Sequence, residues 1–261
     1  MQIDLNCDMG ESFGAYRIGR DAEVMPFITS ANVACGFHAG DPGVMRETVR
    51  LARAHGVAVG AHPGLPDLVG FGRREMHVSP RELEDAVVYQ VGALAGLAAA
   101  EGVRLQHVKA HGALYNMAVR DAALAEAIAR AVAAVDRGLL LFGLPGSELL
   151  RAGERHGLVV VGEAFADRAY EPDGSLVSRR KDGAVIHDPD QVVARVRRLA
   201  KEGVVRAVDG TEVTLRVGTV CTHGDTPGAE VLVRRLREAL EADGVRVAPV
   251  GGTVVSRTPR G

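Results

Sequence analysis

The amino-acid sequence predicts a mainly parallel α/β fold in one domain, closed or nearly closed into a barrel. Short apolar runs alternate with helix-length amphipathic segments along the chain, and parallel neighbours require such crossovers. Seven or eight of these units can be counted, which favours a barrel over an open sheet. No Gly/Ser-rich linker and no abrupt change of composition divides residues 1–261.

Taken in order, residues 3–8 alternate as a first strand and break at a loop that carries Asp8 and Glu11. Residues 28–35 form the second strand. It turns at Gly36, and Asp41-Pro42 suits the cap and first position of a helix over 43–55. Residues 57–61 make a third strand that ends at His62-Pro63-Gly64, followed by a loop with Gly70-Phe71-Gly72-Arg73-Arg74. Ser79-Pro80, with Glu82 at the capping-box position, opens a long helix over 80–101. A fourth strand, 105–109, ends at His111-Gly112. A helix over about 120–135 and a short buried strand at 139–142 come next. Gly146-Ser147 opens a helix that closes near His156, and 159–163 is a sixth strand. Residues 170–188 are polar and irregular, and 189–202 are helical. Residues 213–221 contain a seventh strand, ending at Thr222-His223-Gly224-Asp225. A helix over 227–242 and a short strand at 245–248 complete the pattern.

Composition narrows the function. A formal net charge of -2 and the lack of a basic block argue against nucleic acid. The N-terminus lacks a charged and apolar leader, and no apolar run reads as membrane-spanning. Cys7, Cys35 and Cys221 form no Cys-x-x-Cys pair, so free thiols in a reducing cytoplasm are expected. Lysine occurs only at 109, 181 and 201 and asparagine only at 6, 32 and 116, so Lys109 and the asparagines stand out where they persist.

The strand ends carry the chemistry. They present Asp8 and Glu11, His38 and Asp41, His62, Lys109 and His111, then His223 and Asp225. Parallel strands bring all of these to one rim, where carboxylates, imidazoles and an ammonium shift one another's pKa values. Lys109 ends an apolar strand, where a charge is expensive unless it is paired or used. Asp8, His38 and His62 offer donors for a divalent cation, but their spacing does not distinguish that from plain acid–base catalysis. No phosphate loop or dinucleotide fingerprint is present, and Gly143-Leu144-Pro145-Gly146-Ser147 reads as a tight strand–helix connection. Arg73 and Arg74 suit a substrate carboxylate, or simply a solvated surface.

Several stretches resemble the lactam-utilisation (LamB/YcsF) family, that of the A subunit of bacterial ATP-dependent 5-oxoprolinase. They are Leu5-Asn6-Cys7-Asp8-Met9-Gly10-Glu11, residues 32–42 from Asn32 to Pro42, Gly60-Ala61-His62-Pro63, Gly70-Phe71-Gly72-Arg73-Arg74, residues 109–116 from Lys109 to Asn116, and His223-Gly224-Asp225. Ala110 and Thr222 stand where the family usually has Pro and Val. The resemblance implies a distorted seven-stranded (β/α) barrel similar to polysaccharide deacetylases. It also implies ATP-dependent opening of 5-oxo-L-proline to L-glutamate with partner subunits B and C. Asp8, Glu11, His38, His62, Lys109 and His111 are then the candidate catalytic groups. Asn6, Asp41, Arg73, Arg74, Asn116, His223 and Asp225 are candidates for substrate binding. ATP is expected as co-substrate, handled mainly with the partners. Two other readings stay open: a metal-dependent carbohydrate N-deacetylase, and a non-catalytic subunit that only binds the lactam.

Overall fold

A computed structural model describes residues 1–222 and 228–251. Seven parallel strands close into a barrel in the order β1 (Gln2–Met9), β2 (Ser30–Ala34), β3 (Ala58–His62), β4 (Leu105–Lys109), β5 (Leu140–Gly143), β6 (Val159–Phe165) and β9 (Thr219–Thr222), with β9 pairing back onto β1. The short β10 (Arg246–Val247) adds to the start of β1. Between β6 and β9 an antiparallel pair, β7 (Val204–Arg206) and β8 (Glu212–Thr214), stands outside the barrel.

The helices between strands begin and end where local chemistry satisfies their orphan backbone groups. Asp41 accepts from the amides of Gly43 and Val44 at the start of α2 (Pro42–His55), and Gly56 closes that helix in the left-handed region. Ser79 and Glu82 form the expected capping box on α3 (Pro80–Ala100). Asp121 caps α5 (Ala122–Val135), Ser147 caps α6 (Glu148–Arg155), and Asp188 caps α7 (Pro189–Glu202). The remaining helices are α1 (Asp21–Val24), α4 (Gly112–Ala118) and α8 (Ala229–Ala242).

Three expectations change. The run 213–221 is two strands in different sheets, because Gly218 ends the excursion, its amide bonding to the Gly162 carbonyl before β9 begins. Residues 112–118 form the short helix α4 directly after the site residue His111, where the sequence reading placed no helix. By length and composition α3 is apolar enough to cross a membrane. Here Leu83, Val87, Gln90, Val91, Leu94 and Ala98 form its buried face.

Alternation along β1 shows how the barrel is filled. Ile3, Leu5, Cys7 and Met9 belong to the apolar core that includes buried residues of the surrounding helices, such as Val49 and Ala52 of α2. Asp4, Asn6 and Asp8 point the other way. Asn6 reaches Glu163 on β6 and Asp8 reaches Lys109 on β4, strands that do not neighbour β1, so these bonds cross the lumen.

Candidate active site at the barrel mouth

The lumen is a stack of hydrogen-bonded polar layers. At the floor, Asp4 accepts from the hydroxyls of Ser30 at 2.8 Å, Thr29 at 2.5 Å and Thr219 at 2.5 Å. Burial pushes the Asp4 carboxyl up to about 6 against the pull of these bonds. Above it, Asn6 donates to Glu163 Oε1 at 3.0 Å and Thr219 Oγ1 at 2.7 Å, and accepts from Asn32 Nδ2 at 2.7 Å. His107 Nε2 donates to Asn32 Oδ1 at 2.8 Å. Burial, and then the Lys109 charge, drive His107 down to about 3, so it is a neutral strut. A Cβ on Gly60 would lie 2.1 Å from His107 Nε2, so only glycine leaves room for this ring across the strand pair.

Lys109 joins these layers to the mouth. Its ammonium donates to Asp8 Oδ1 at 2.9 Å and Cys221 Sγ at 3.0 Å, and it pairs with Glu163 Oε1 at 3.0 Å. Burial opposes its charge, but Asp8, Cys221 and Glu163 together hold its pKa well above the ordinary lysine value. Three N–H groups thus meet acceptors of the chain itself, and Lys109 is locked against Asp8. The other Asp8 oxygen, Oδ2, faces the cup and lies 3.3 Å from His62 Nε2. One oxygen of Asp8 is therefore fixed and the other is presented.

Around the mouth His38, His62 and His111 gather with Glu11. His62 Nδ1 lies 2.8 Å from the Lys109 carbonyl and His111 Nε2 lies 2.8 Å from the Phe71 carbonyl. Phe71 adopts φ 55°, a rare left-handed conformation for a bulky residue, beside this contact. His38 stacks on His111 with ring centroids 3.7 Å apart and planes 2° apart. A Cβ on Gly72 would lie 2.7 Å from His38 Cβ and 2.9 Å from His111 Cδ2. Burial, followed by the neighbouring imidazoles, holds His38 and His111 well below the ordinary histidine value. The donors that converge are therefore Glu11, His38, His62 and His111, rather than Asp8 with His38 and His62.

The predicted catalytic residues Asp8, Glu11, His38, His62, Lys109 and His111 therefore share one cup. The predicted binding residues scatter more. Asn6 is fully buried and bonded within the lumen. Asp41 gives one oxygen to the α2 cap and the other to the Gly14 amide at 2.9 Å. Arg73 lies over the Phe71 ring, its Cζ 5.0 Å from the centroid, whereas Arg74 Nε donates to Asp67 at 2.9 Å. Asn116 is exposed on α4. His223 and Asp225 lie outside the described residues. Glu163, Asn32, His107 and Cys221 were missed as site-supporting groups. Glu163 had a readable signal: it is a charge in an apolar strand, the same signal that singled out Lys109.

The closed barrel defines a fold class first. The catalytic domain of peptidoglycan N-acetylglucosamine deacetylase from Eubacterium rectale shares the fold, with a TM-score of 0.50 at 12% identity over 99% of this chain and 92% of that one. Within that class the chain belongs to the LamB/YcsF family, whose model matches residues 3–255. The 5-oxoprolinase A subunit of Bacillus licheniformis is 58% identical over 94% of this chain and 97% of the relative. The lactam utilization protein of Thermus thermophilus superposes with a TM-score of 0.91 at 53% identity, over 95% of this chain and 99% of that one.

Proposed function

We propose that this chain is the lactam-opening subunit of an ATP-dependent 5-oxoprolinase: 5-oxo-L-proline + ATP + 2 H2O → L-glutamate + ADP + phosphate. The observation that carries the reading is the cup itself, where two carboxylates and three imidazoles meet in a chain whose relatives are named as the A subunit of 5-oxoprolinase. A five-membered lactam is an unactivated amide, and phosphorylation of its oxygen activates the ring carbon. Addition of one water and cleavage of the C–N bond leave the γ-carboxyl as an acyl phosphate, and a second water releases phosphate and glutamate. Asp8 Oδ2 takes a proton from the first water as it attacks the ring carbon, with Oδ1 held by Lys109 and Asn32. The imidazoles at the rim stabilise developing charge or return a proton to the ring nitrogen.

ATP chemistry belongs mainly to partner subunits B and C in this reading. Gly143–Ser147 supports that assignment: the Ser147 amide bonds the Leu144 carbonyl at 3.1 Å and its hydroxyl caps Leu150, making a tight connection. Three buried free thiols fit a cytoplasmic setting. The test is an assay of the chain with and without B and C on 5-oxoproline and ATP. Turnover is expected only with the partners. Asp8→Asn is expected to lower it by about 10²–10⁴-fold while assembly survives. Unchanged turnover in Asp8→Asn would leave a binding scaffold as the better description, and metal-dependent release of acetate from N-acetyl sugars by the chain alone would establish the deacetylase instead.

A further inference from the structure

His62 and His111 have tautomers that the backbone dictates. Each points one ring nitrogen at a carbonyl, which only accepts, so the proton of the neutral ring lies on His62 Nδ1 and on His111 Nε2. The remaining nitrogens, His62 Nε2 and His111 Nδ1, then carry lone pairs and face each other at 3.0 Å. Glu11 Oε1 lies 3.7 Å from His111 Nδ1 and 3.6 Å from His38 Nε2. His38 is fully buried, and among the described residues neither of its ring nitrogens has a hydrogen-bond partner. A buried donor left in that state is destabilising.

We propose that Glu11, His38, His62 and His111 form a binding site for one divalent transition-metal ion at the barrel mouth. A proton shared between His62 and His111 would relieve their facing lone pairs, but it would leave both His38 nitrogens unanswered. A cation answers all four groups together. One donor atom from each residue lies within 4.8 Å of every other. Tetrahedral bonds of about 2.0–2.1 Å separate donors by about 3.3 Å, so the set closes on an ion with shifts of about an ångström or less. Three imidazole nitrogens and one carboxylate oxygen suit zinc or a neighbouring first-row metal better than calcium or magnesium. Because His38 lies parallel to His111, the ion bonds His62, His111 and Glu11 first and engages His38 through a tilt of its ring. The carbonyls of Lys109 and Phe71 are the outer partners that aim the two locked imidazoles.

The test uses the full chain stripped by chelator, without substrate or partners, so its result is independent of the lactam reading. Equilibrium dialysis against Zn2+ with elemental analysis is expected to give one ion per chain, and Co2+ to give the visible bands of a nitrogen-and-oxygen site. His62→Ala, His111→Ala and Glu11→Gln should each weaken binding by more than the about 10–100-fold that a supporting partner contributes. His156→Ala, on the outer surface, should change nothing. Far-UV circular dichroism checks each variant. Glu11→Gln, a change that keeps the size and shape of the side chain, keeps the test decisive if a histidine variant does not fold. Uptake well below one equivalent, or full uptake by folded Glu11→Gln and His62→Ala, overturns the proposal.

Discussion

The lumen of the barrel and the shell around it are made by the same strands from opposite residue types. Outward positions of β1 are Ile3, Leu5, Cys7 and Met9, all in the apolar core. Inward positions are Asp4, Asn6 and Asp8, each bonded across or along the lumen. The shell is stabilised by area removed from water, at about 25 cal/mol per Å². The lumen gains little net stability from its ions, because desolvation offsets their attraction, but it fixes Asp8 from below. The shell therefore sets how stable the barrel is, and the lumen sets where the Asp8 carboxylate stands.

Removing the cation between two buried carboxylates tests this contrast most severely. Lys109→Met leaves Asp8 Oδ1 and Glu163 Oε1 without their shared ammonium. A loss of about 3–5 kcal/mol is expected, since the surviving charges stay buried without compensation. Urea unfolding monitored by circular dichroism measures it, and turnover with the partner subunits should fall in parallel. A Lys109→Met chain that keeps full activity would break the link from lumen to mouth.

The shell counterpart is Leu94→Ala on α3, where the side chain is fully buried. A loss of about 2–5 kcal/mol is expected from the lost methylenes and the cavity they leave. Below its unfolding midpoint this variant should retain the kcat of the parent chain. If kcat drops as it does for Lys109→Met, the two regions are not separable.

The same contrast explains what the sequence could disclose. Local signals were readable: the Asp41-Pro42 and Ser79-Pro80 caps lie where expected, and alternation over residues 3–8 marks β1. Parallel strands then sufficed to bring Asp8, His38, His62 and His111 to one rim. What stayed hidden depends on register and on contacts across the lumen. His107 reads as an ordinary strand histidine until β3 and β4 pair and Gly60 falls opposite it. Asn6 stood out by the scarcity of asparagine, but its bonds to Glu163 and Thr219 span more than 150 residues of chain and could not be read. Residues 213–221 read as one stretch rich in β-branched residues, and the two different sheets they join divide it.

The floor of the lumen offers the finest test, because there a buried charge opposes stability. The Asp4 carboxyl is raised from 3.8 to about 6, so the unfolded chain releases its proton more readily than the folded one. Its contribution to stability is fully present below about 4, falls as pH rises to about 6 and is lost above that. By linkage the difference amounts to about 3 kcal/mol at neutral pH. His38, His107 and His111 act in the opposite sense. They stay neutral when folded, so each costs stability as pH falls below 6.5, and wild-type curves mix the two trends. Asp4→Asn separates them, since the histidines are common to both chains. The hydroxyls of Thr29, Ser30 and Thr219 can turn to accept as well as donate, so the amide finds partners. Urea midpoints of the two chains should differ most above about pH 6, with Asp4→Asn the more stable, and converge towards about pH 4. A stability gap independent of pH would mean that the floor carboxylate does not titrate with folding and that packing alone distinguishes it from the shell.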